Sequence, residues 1–124
     1  MDNLQLDYLG KKCLGERYIG TFPLNSPPFY LKPNTCFIIN TQSANLPGEH
    51  WLAVNITYTN IELFDPFGLY YPSSLVNYLT RSSKHVTFNR KQYQDFNTNL
   101  CGYYCLKWLV DKYKYSEISN IPLF

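Results

Sequence analysis

The sequence is poor in charged residues and has no long apolar run, and each shortage excludes a class of protein. Only 16% of its 124 residues are charged and the net charge is +2, which is too small by itself to indicate nucleic-acid binding. No apolar run approaches the roughly 18 residues that a membrane-spanning helix needs. The first residues also lack the apolar core of a signal peptide. We therefore expect a protein that neither spans a membrane nor is secreted.

Cysteines are few and match no metal-binding pattern. They are Cys13, Cys36, Cys101 and Cys105, and their spacing fits no pair of CxxC motifs of the kind that binds structural zinc. In a reducing compartment such cysteines are free thiols. We therefore predict four thiols and no bound metal or cofactor.

What the sequence does have is the apolar, aromatic composition of one small globular domain. Hydrophobic residues make up 45% of the chain and aromatic residues 18%, and no repeat or linker divides it, so we predict a single domain over residues 1–124. The charge is uneven, with seven basic and three acidic residues in 81–124. That basic segment could bind a polyanion such as DNA, or it could be an ordinary solvated surface.

Apolar periodicity and turn residues predict an α+β arrangement. The last predicted helix is apolar nearly all round, apart from a polar stripe that includes Lys107 and Asp111, so we expect it to be mostly buried. In chain order the predicted elements are a helix over 3–11 capped by Asp2, an extended RYIGTF segment, a buried strand over 35–40, a hairpin of 50–56 and 61–65, a helix over 73–82, a strand in KHVTFNR and a helix over 101–113.

The hairpin brings a histidine and an aspartate together. With a loop of two to four residues, the numbers of paired residues add up to about 115–117, so His50 is predicted to lie opposite Asp65 or one step from it. Directly opposed residues have Cβ atoms about 4.5–5.5 Å apart. A carboxylate at that distance would fix the tautomer of the imidazole and stabilise its charged form.

Cys101 stands at the predicted start of the last helix. The unpaired N–H groups and the dipole of a helix N-terminus favour an anion, and therefore a thiolate. A thiolate is a nucleophile that needs a base to hold its proton, and His50 could be that base. Asn97, Thr98 or Asn99 could cap the helix.

Gln94 precedes Cys101 by seven residues in a polar loop. Acyl transfer builds negative charge on a carbonyl oxygen, and a side-chain amide together with a backbone N–H can stabilise that charge. Gln94 and the N–H of Cys101 could therefore form an oxyanion hole.

Each of these residues also has an ordinary structural explanation. A histidine on a strand can serve packing alone, Asp65 before Pro-Phe-Gly can simply start a turn, and Cys101 can be a small core residue. Gln94 by itself carries no signal. Their spacing alone leaves both a cysteine hydrolase and a purely structural interpretation open.

Five motifs occur in a fixed order: YIGTF, FIINT, GEHWLAV, LFDPFG and QDFNTNLCGYYC. In this order they resemble the adenovirus protease family, adenain, whose members are cysteine proteases related in fold to the SUMO-specific proteases. The resemblance extends from about Cys13 to Trp108. It implies an α+β fold of the papain-like and adenain-like kind, in which a central mixed β-sheet packs against a buried catalytic helix.

The resemblance also implies residue roles. His50 matches the general base, Asp65 the acidic third member that adenovirus enzymes often supply as glutamate, Gln94 the oxyanion-hole amide and Cys101 the nucleophile. Trp51 matches a tryptophan that lines the substrate site. The order His, Asp, Gln, Cys differs from that of papain-type enzymes, in which the cysteine comes first.

By the same resemblance the function would be a viral or virus-like maturation protease. It would cleave capsid precursor polypeptides at small, glycine-rich sites, in the virion and the infected host cell. The alternative is a deubiquitinase or deSUMOylase of the same clan, acting after Gly-Gly. A third possibility, a catalytically inactive binding module, is disfavoured because all four catalytic positions are intact.

Two departures from the family pattern concern regulation and length. The adenovirus enzymes carry a cysteine before the glutamine that forms a disulfide with a peptide activator, whereas residues 82–91 contain no cysteine. We therefore predict basal activity or a non-covalent peptide activator, with DNA as a second candidate through Arg81, Lys84, Arg90 and Lys91. The longer C-terminal helical region of the family has no counterpart, which predicts a minimal form.

Overall fold

In the computed structural model the chain forms a five-stranded mixed β-sheet with helices on both faces. The structure describes residues 2–41, 50–68, 71–82, 84–93 and 100–119, with side chains of the last helix up to residue 113. The main elements are α1 (Asn3–Leu14), β1 (Tyr18–Pro23), β2 (Thr35–Asn40), β3 (Trp51–Ile56), β4 (Asn60–Phe64), α2 (Ser73–Thr80), β5 (His85–Phe88) and α3 (Cys101–Ser119). The predicted α+β class is confirmed.

The strands lie in the order β1-β2-β3-β4-β5. The inner pairs, β2/β3 and β3/β4, are antiparallel, and the outer pairs, β1/β2 and β4/β5, are parallel. Parallel neighbours need a crossover connection, which helix α2 supplies between β4 and β5. Strand β3 is therefore the centre of the sheet, and it begins directly after His50.

The two faces of the sheet bury separate apolar clusters. Strands β2 and β3 contribute alternate side chains to both faces, which explains why their sequences are apolar almost without a break. One cluster packs under α1 and α3 and includes Leu6, Cys36, Ile38, Trp51, Ala53, Phe64, Cys101, Cys105 and Leu109, whereas the other packs under α2 and includes Phe37, Ile39, Leu52, Val54, Ile56, Ile61, Leu63, Leu75 and Leu79.

Helix α1 is held in place by its N-cap and by one close contact. The Asp2 carboxylate accepts the backbone N–H of Gln5 at 2.8 Å, and the Gln5 side chain accepts the backbone N–H of Asp2 at 3.0 Å, which is a capping box. Leu6 then packs on Gly102, where an added β-carbon would lie 3.1 Å from Leu6 Cδ1. The glycine after Cys101 therefore lets α1 approach the start of α3 closely.

Helix α3 begins at the predicted residue and is longer than predicted. It extends to Ser119. Cys105 and Leu109 are fully buried against the sheet, whereas Tyr103 is 49% exposed and Lys107 points to solvent. The predicted burial of the helix and its predicted polar stripe are both confirmed, and Tyr103 is the one exposed aromatic residue among the described side chains of α3 that the pattern did not indicate.

Candidate active site

His50 immediately precedes β3, and Asp65 immediately follows β4. The hairpin pairs Ala53 with Phe64, and continuing that register places His50 across from Phe67. Asp65 therefore lies two residues away on the diagonal, and the prediction that it stands opposite His50 or one step away is wrong. Diagonal neighbours remain within reach of long or aromatic side chains, so the two side chains still meet.

The imidazole of His50 lies between a carboxylate and a thiol. His50 Nε2 is 2.9 Å from Asp65 Oδ1, which is ion-pair distance. On the other side of the ring, Nδ1 is 3.3 Å from the Cys101 sulfur. The Asp65 side chain is fully buried and that of His50 is 20% exposed. The fold thus brings together three of the predicted residues from three different parts of the chain.

The turn that carries Asp65 also carries a ring that stacks on the histidine. Asp65 starts a turn closed by the Gly68 N–H on its carbonyl at 2.8 Å, and its carboxylate accepts the N–H of Phe67 at 3.0 Å. The Phe67 ring lies on His50 with centroids 5.2 Å apart and planes at 12°. Asp65 is therefore both a turn residue and the partner of His50. The hairpin register could have identified Phe67 from the sequence.

The electrostatics of the site favour a charged histidine. Burial lowers the pKa of His50, but Asp65 and Cys101 together outweigh that effect and raise it from 6.5 to about 9. At neutral pH the ring is therefore an imidazolium, and its Nδ1 lies beside the Cys101 sulfur. Such a pair combines a nucleophile with a proton donor.

The N-terminus of α3 adds a second positive electric field at the site, beside that of the His50 imidazolium. Helix α3 begins at Cys101 itself, so the positive end of the helix dipole lies at the sulfur-bearing residue. The predicted oxyanion-hole amide, Gln94, and the capping candidates Asn97, Thr98 and Asn99 lie outside the described residues. Their roles stay predictions.

Trp51 and Cys105 form the buried wall behind the site. Trp51 is only 3% exposed and packs in the same cluster as Cys101, and its role in lining the substrate site stays a prediction. Cys105 is fully buried, and its thiol donates to the Trp51 carbonyl at 3.2 Å. Burial raises the pKa of Cys105 well above its ordinary value, as it does for any thiol that is removed from water.

The described parts of the chain contain neither a cluster of metal ligands nor a membrane-spanning helix. No group of three or more His, Cys, Asp or Glu side chains there is arranged to hold a metal ion. No helix in those parts is both long and apolar enough to cross a membrane. All four cysteines are free thiols, with Cys13 exposed and the other three buried.

The chain is similar in sequence to adenovirus proteases. The protease of human adenovirus B serotype 3 is 42% identical over 57 residues, covering 44% of this chain and 27% of that protein. The protease of bovine adenovirus B serotype 3 is 29% identical over 114 residues, covering 77% of this chain and 56% of that protein. The protease of porcine adenovirus A serotype 3 is 28% identical over 119 residues, covering 82% and 58%. The chain therefore spans less than two thirds of the length of these relatives.

The fold is similar to that of a solved viral protease. The crystal structure of the ASFV protease superimposes with a TM-score of 0.59 at 14% identity, covering 90% of this chain and 57% of that one. Its selenomethionine form gives the same TM-score at 16% identity. No protein-family model matches the chain.

The sheet order, the buried helix that begins at Cys101 and these likenesses define the class of the fold, which is that of viral cysteine proteases. Within that class the chain is similar in sequence to the adenovirus proteases, which confirms the adenain-like resemblance predicted from its five motifs.

Proposed function

We propose that the chain is a cysteine endopeptidase of viral type that hydrolyses peptide bonds through Cys101, His50 and Asp65. The observation that carries the proposal is the position of the His50 ring, 3.3 Å from the Cys101 sulfur on one side and 2.9 Å from the Asp65 carboxylate on the other. Homology to adenovirus proteases supports the same reaction class.

In the proposed reaction the Cys101 thiolate attacks the scissile carbonyl carbon. A carbon–sulfur bond forms and the carbonyl oxygen takes the negative charge, which the N–H of Cys101 and the Gln94 amide would stabilise. His50 then gives its proton to the leaving amine as the carbon–nitrogen bond breaks, and a thioester remains. Water attacks the thioester with His50 as general base, which releases the carboxylic acid and restores the thiolate.

Asp65 keeps the histidine charged and oriented throughout this sequence. Because the carboxylate is fully buried, its field on the imidazolium is screened less than that of a surface charge. The stacked Phe67 ring covers one face of the imidazole and so restricts rotation of the ring away from the sulfur.

The proposed substrates are capsid precursor polypeptides of a virus or virus-like element, cut at small, glycine-rich sites. This follows from the relatives, which are proteases of adenoviruses. The proposed place of action is accordingly the virion and the infected host cell.

We also propose that any peptide activator acts without a disulfide. Strand β5 lies at the edge of the sheet, where main-chain pairing can supply affinity by itself. Cys36 is fully buried in β2. Cys13 is exposed on α1, which precedes β1, the strand at the opposite edge of the sheet from β5. The exposed Arg90 and Lys91 follow β5 and would favour an acidic peptide or DNA there.

The test compares a glycine-rich capsid-type peptide with a ubiquitin or SUMO fluorogenic substrate. Wild type should cleave the peptide, Cys101→Ala should abolish cleavage with an unchanged circular-dichroism spectrum, and Cys13→Ala, the same change at an exposed thiol on α1, should leave the rate unchanged. Faster cleavage of the ubiquitin or SUMO substrate would favour the deconjugating enzyme instead. More than trace activity in Cys101→Ala would refute the proposed nucleophile.

A further inference from the structure

The side chain of Asn89 holds the backbone of Asp65 on both sides. Its Oδ1 accepts the backbone N–H of Asp65 at 2.8 Å, and its Nδ2 donates to the Asp65 carbonyl at 2.7 Å. Strands β4 and β5 are last paired at Leu63 and Phe88. One residue beyond the end of β5, the Asn89 side-chain amide thus makes the two hydrogen bonds that a neighbouring strand would otherwise make. Its partner is the backbone of Asp65, whose carboxylate contacts His50.

Further hydrogen bonds fix the Asn89 amide in one orientation. Its oxygen also accepts the Tyr71 hydroxyl at 2.7 Å, and the same hydroxyl contacts the Asn89 carbonyl. Its nitrogen also donates to the Lys91 carbonyl at 3.1 Å. The oxygen therefore receives two donors and the nitrogen serves two acceptors, so an inverted amide would lose at least the three bonds to backbone groups.

The residues after Asn89 wrap the rest of the acid-bearing turn. The Tyr93 N–H donates to the Pro66 carbonyl at 2.8 Å. Gly68 has φ +73°, and a β-carbon there would lie 2.7 Å from the Lys91 carbonyl oxygen. Only glycine accepts both that conformation and that approach. The turn is therefore clamped by backbone and side-chain contacts from a segment that is distant in sequence.

We propose that Asn89 is a positioning residue, which holds the Asp65 backbone so that its carboxylate stays against His50 Nε2. Its importance for peptide hydrolysis rests on the proposed function, whereas its effect on the Asp65–His50 contact does not. A carboxylate that moves away by an ångström or more loses both its hydrogen bond and part of its Coulomb attraction to the ring.

Loss of the Asn89 side chain leaves every charge near His50 unchanged, because asparagine is neutral. A change in the titration of His50 would therefore report a displacement of Asp65 and not the removal of a charge. Among the described residues, the titratable or charged groups around the pair are Cys101 and Cys105 from α3 and Tyr71 from the segment before α2, with Arg90 near Tyr71.

The experiment follows the two histidines of the chain, His50 and His85, by their imidazole NMR signals as pH is raised. In wild type, His50 should lose its proton near pH 9, since its pKa is raised to about 9. In Asn89→Ala we expect that midpoint to fall by at least about one unit towards the ordinary value of 6.5. His85 lies in β5, the strand that ends just before Asn89. Its chemical shifts should equal those of wild type at the same pH if the strand remains folded. Asn77→Ala, the same change at an exposed position of α2, is the matched control and should leave the His50 midpoint where it is.

Tyr71→Phe keeps the test decisive if Asn89→Ala fails to fold. It removes the hydroxyl that orients the amide but keeps the ring, which packs against Phe88 with centroids 4.8 Å apart. We expect a smaller fall of the His50 midpoint in the same direction. If folded Asn89→Ala has the wild-type midpoint for His50, the proposal is wrong. If Asn89→Ala does not fold, a wild-type His50 midpoint in Tyr71→Phe would overturn it instead. An equal shift in Asn77→Ala would do the same. No substrate is needed, so the result stands apart from whether the protein cleaves peptides.

Discussion

Replacement of Asp65 by asparagine would remove a buried charge from the candidate site and keep its shape. Asp65 Oδ1 lies 2.9 Å from His50 Nε2 and accepts the Phe67 N–H at 3.0 Å. The oxygen of an amide can accept both contacts from the same place. The substitution Asp65→Asn therefore isolates the electrostatic contribution of the carboxylate.

The size of the effect follows from the titration of the histidine. Burial lowers the pKa of His50, while Asp65 and Cys101 raise it by more, to about 9 from 6.5. An opposite charge at this distance shifts a pKa by about 1 to 3 units, and each unit is worth about 1.4 kcal/mol. Without the carboxylate the pKa of His50 should fall by an amount in that range.

The sign of the pH effect is set by the role of His50 as proton donor. A raised pKa means that His50 keeps its proton up to about pH 9 and loses it above. In Asp65→Asn the loss begins at lower pH, so the basic limb of the rate profile should move down by about 1 to 3 units. The loss of rate should grow between the two midpoints and reach about 10- to 1,000-fold above the wild-type midpoint, and it should be small below both.

The assay is kcat/KM for a glycine-rich peptide measured across pH. Glu62→Gln is the control, because it removes the same charge from β4 at a position where Glu62 pairs with Lys112 and Asn55. Its basic limb should stay near that of wild type. His50→Ala should lose more activity than Asp65→Asn at every pH. A wild-type rate and a wild-type basic limb in Asp65→Asn would remove Asp65 from the site and refute this reasoning.

The other predictions concern the oxyanion hole, the core thiol and regulation. Gln94→Ala should lower kcat by about 10²–10³-fold, the cost of one oxyanion-hole donor in a well-studied hydrolase, and an unchanged rate would remove Gln94 from the mechanism. Cys105→Ala should keep peptide cleavage and lose about 1–2 kcal/mol of unfolding free energy in a denaturant titration, since its buried thiol donates to the Trp51 carbonyl; a large activity loss with normal folding would favour a redox role. Capsid-derived peptides that raise the rate should do so equally with and without mild reductant, and an activating mixed disulfide with Cys13 or Cys36 would contradict this. If double-stranded DNA activates, the effect should weaken steeply as salt rises, and a flat response would leave the basic residues as solvated surface.

Local sequence patterns were sufficient to predict the elements that carry the site. The apolar run TCFIIN predicted a strand over 35–40, and β2 has these bounds, because a strand buried on both faces needs apolar side chains at every position. Asp2 predicted the start of α1 through its capping chemistry. Cys101 was predicted to start the last helix and does so. The five ordered motifs predicted the adenain-like resemblance that the adenovirus homologues confirm.

The hairpin shows where such local reasoning reaches its limit. The strands and the range of their pairing were predicted, and the observed register, at the upper end of that range, places Asp65 on the diagonal from His50. Pairing arithmetic depends on the number of loop residues, which the sequence left as a range. A histidine and an aspartate are long enough to bridge the diagonal, so the two side chains meet although they are not directly opposed.

Only the tertiary structure decided which distant residues complete the site. The sequence predicted that His50 and Cys101, 51 positions apart, act together, whereas nothing in it linked Asn89 to Asp65, 24 positions away. Contacts at such separations have no periodicity that a sequence pattern can show, because they arise when the sheet, its turns and α3 pack together. Asn89 is an ordinary polar residue in the sequence. It holds the acid-bearing turn only because parallel pairing of β4 and β5 brings the ends of both strands to the same edge of the sheet.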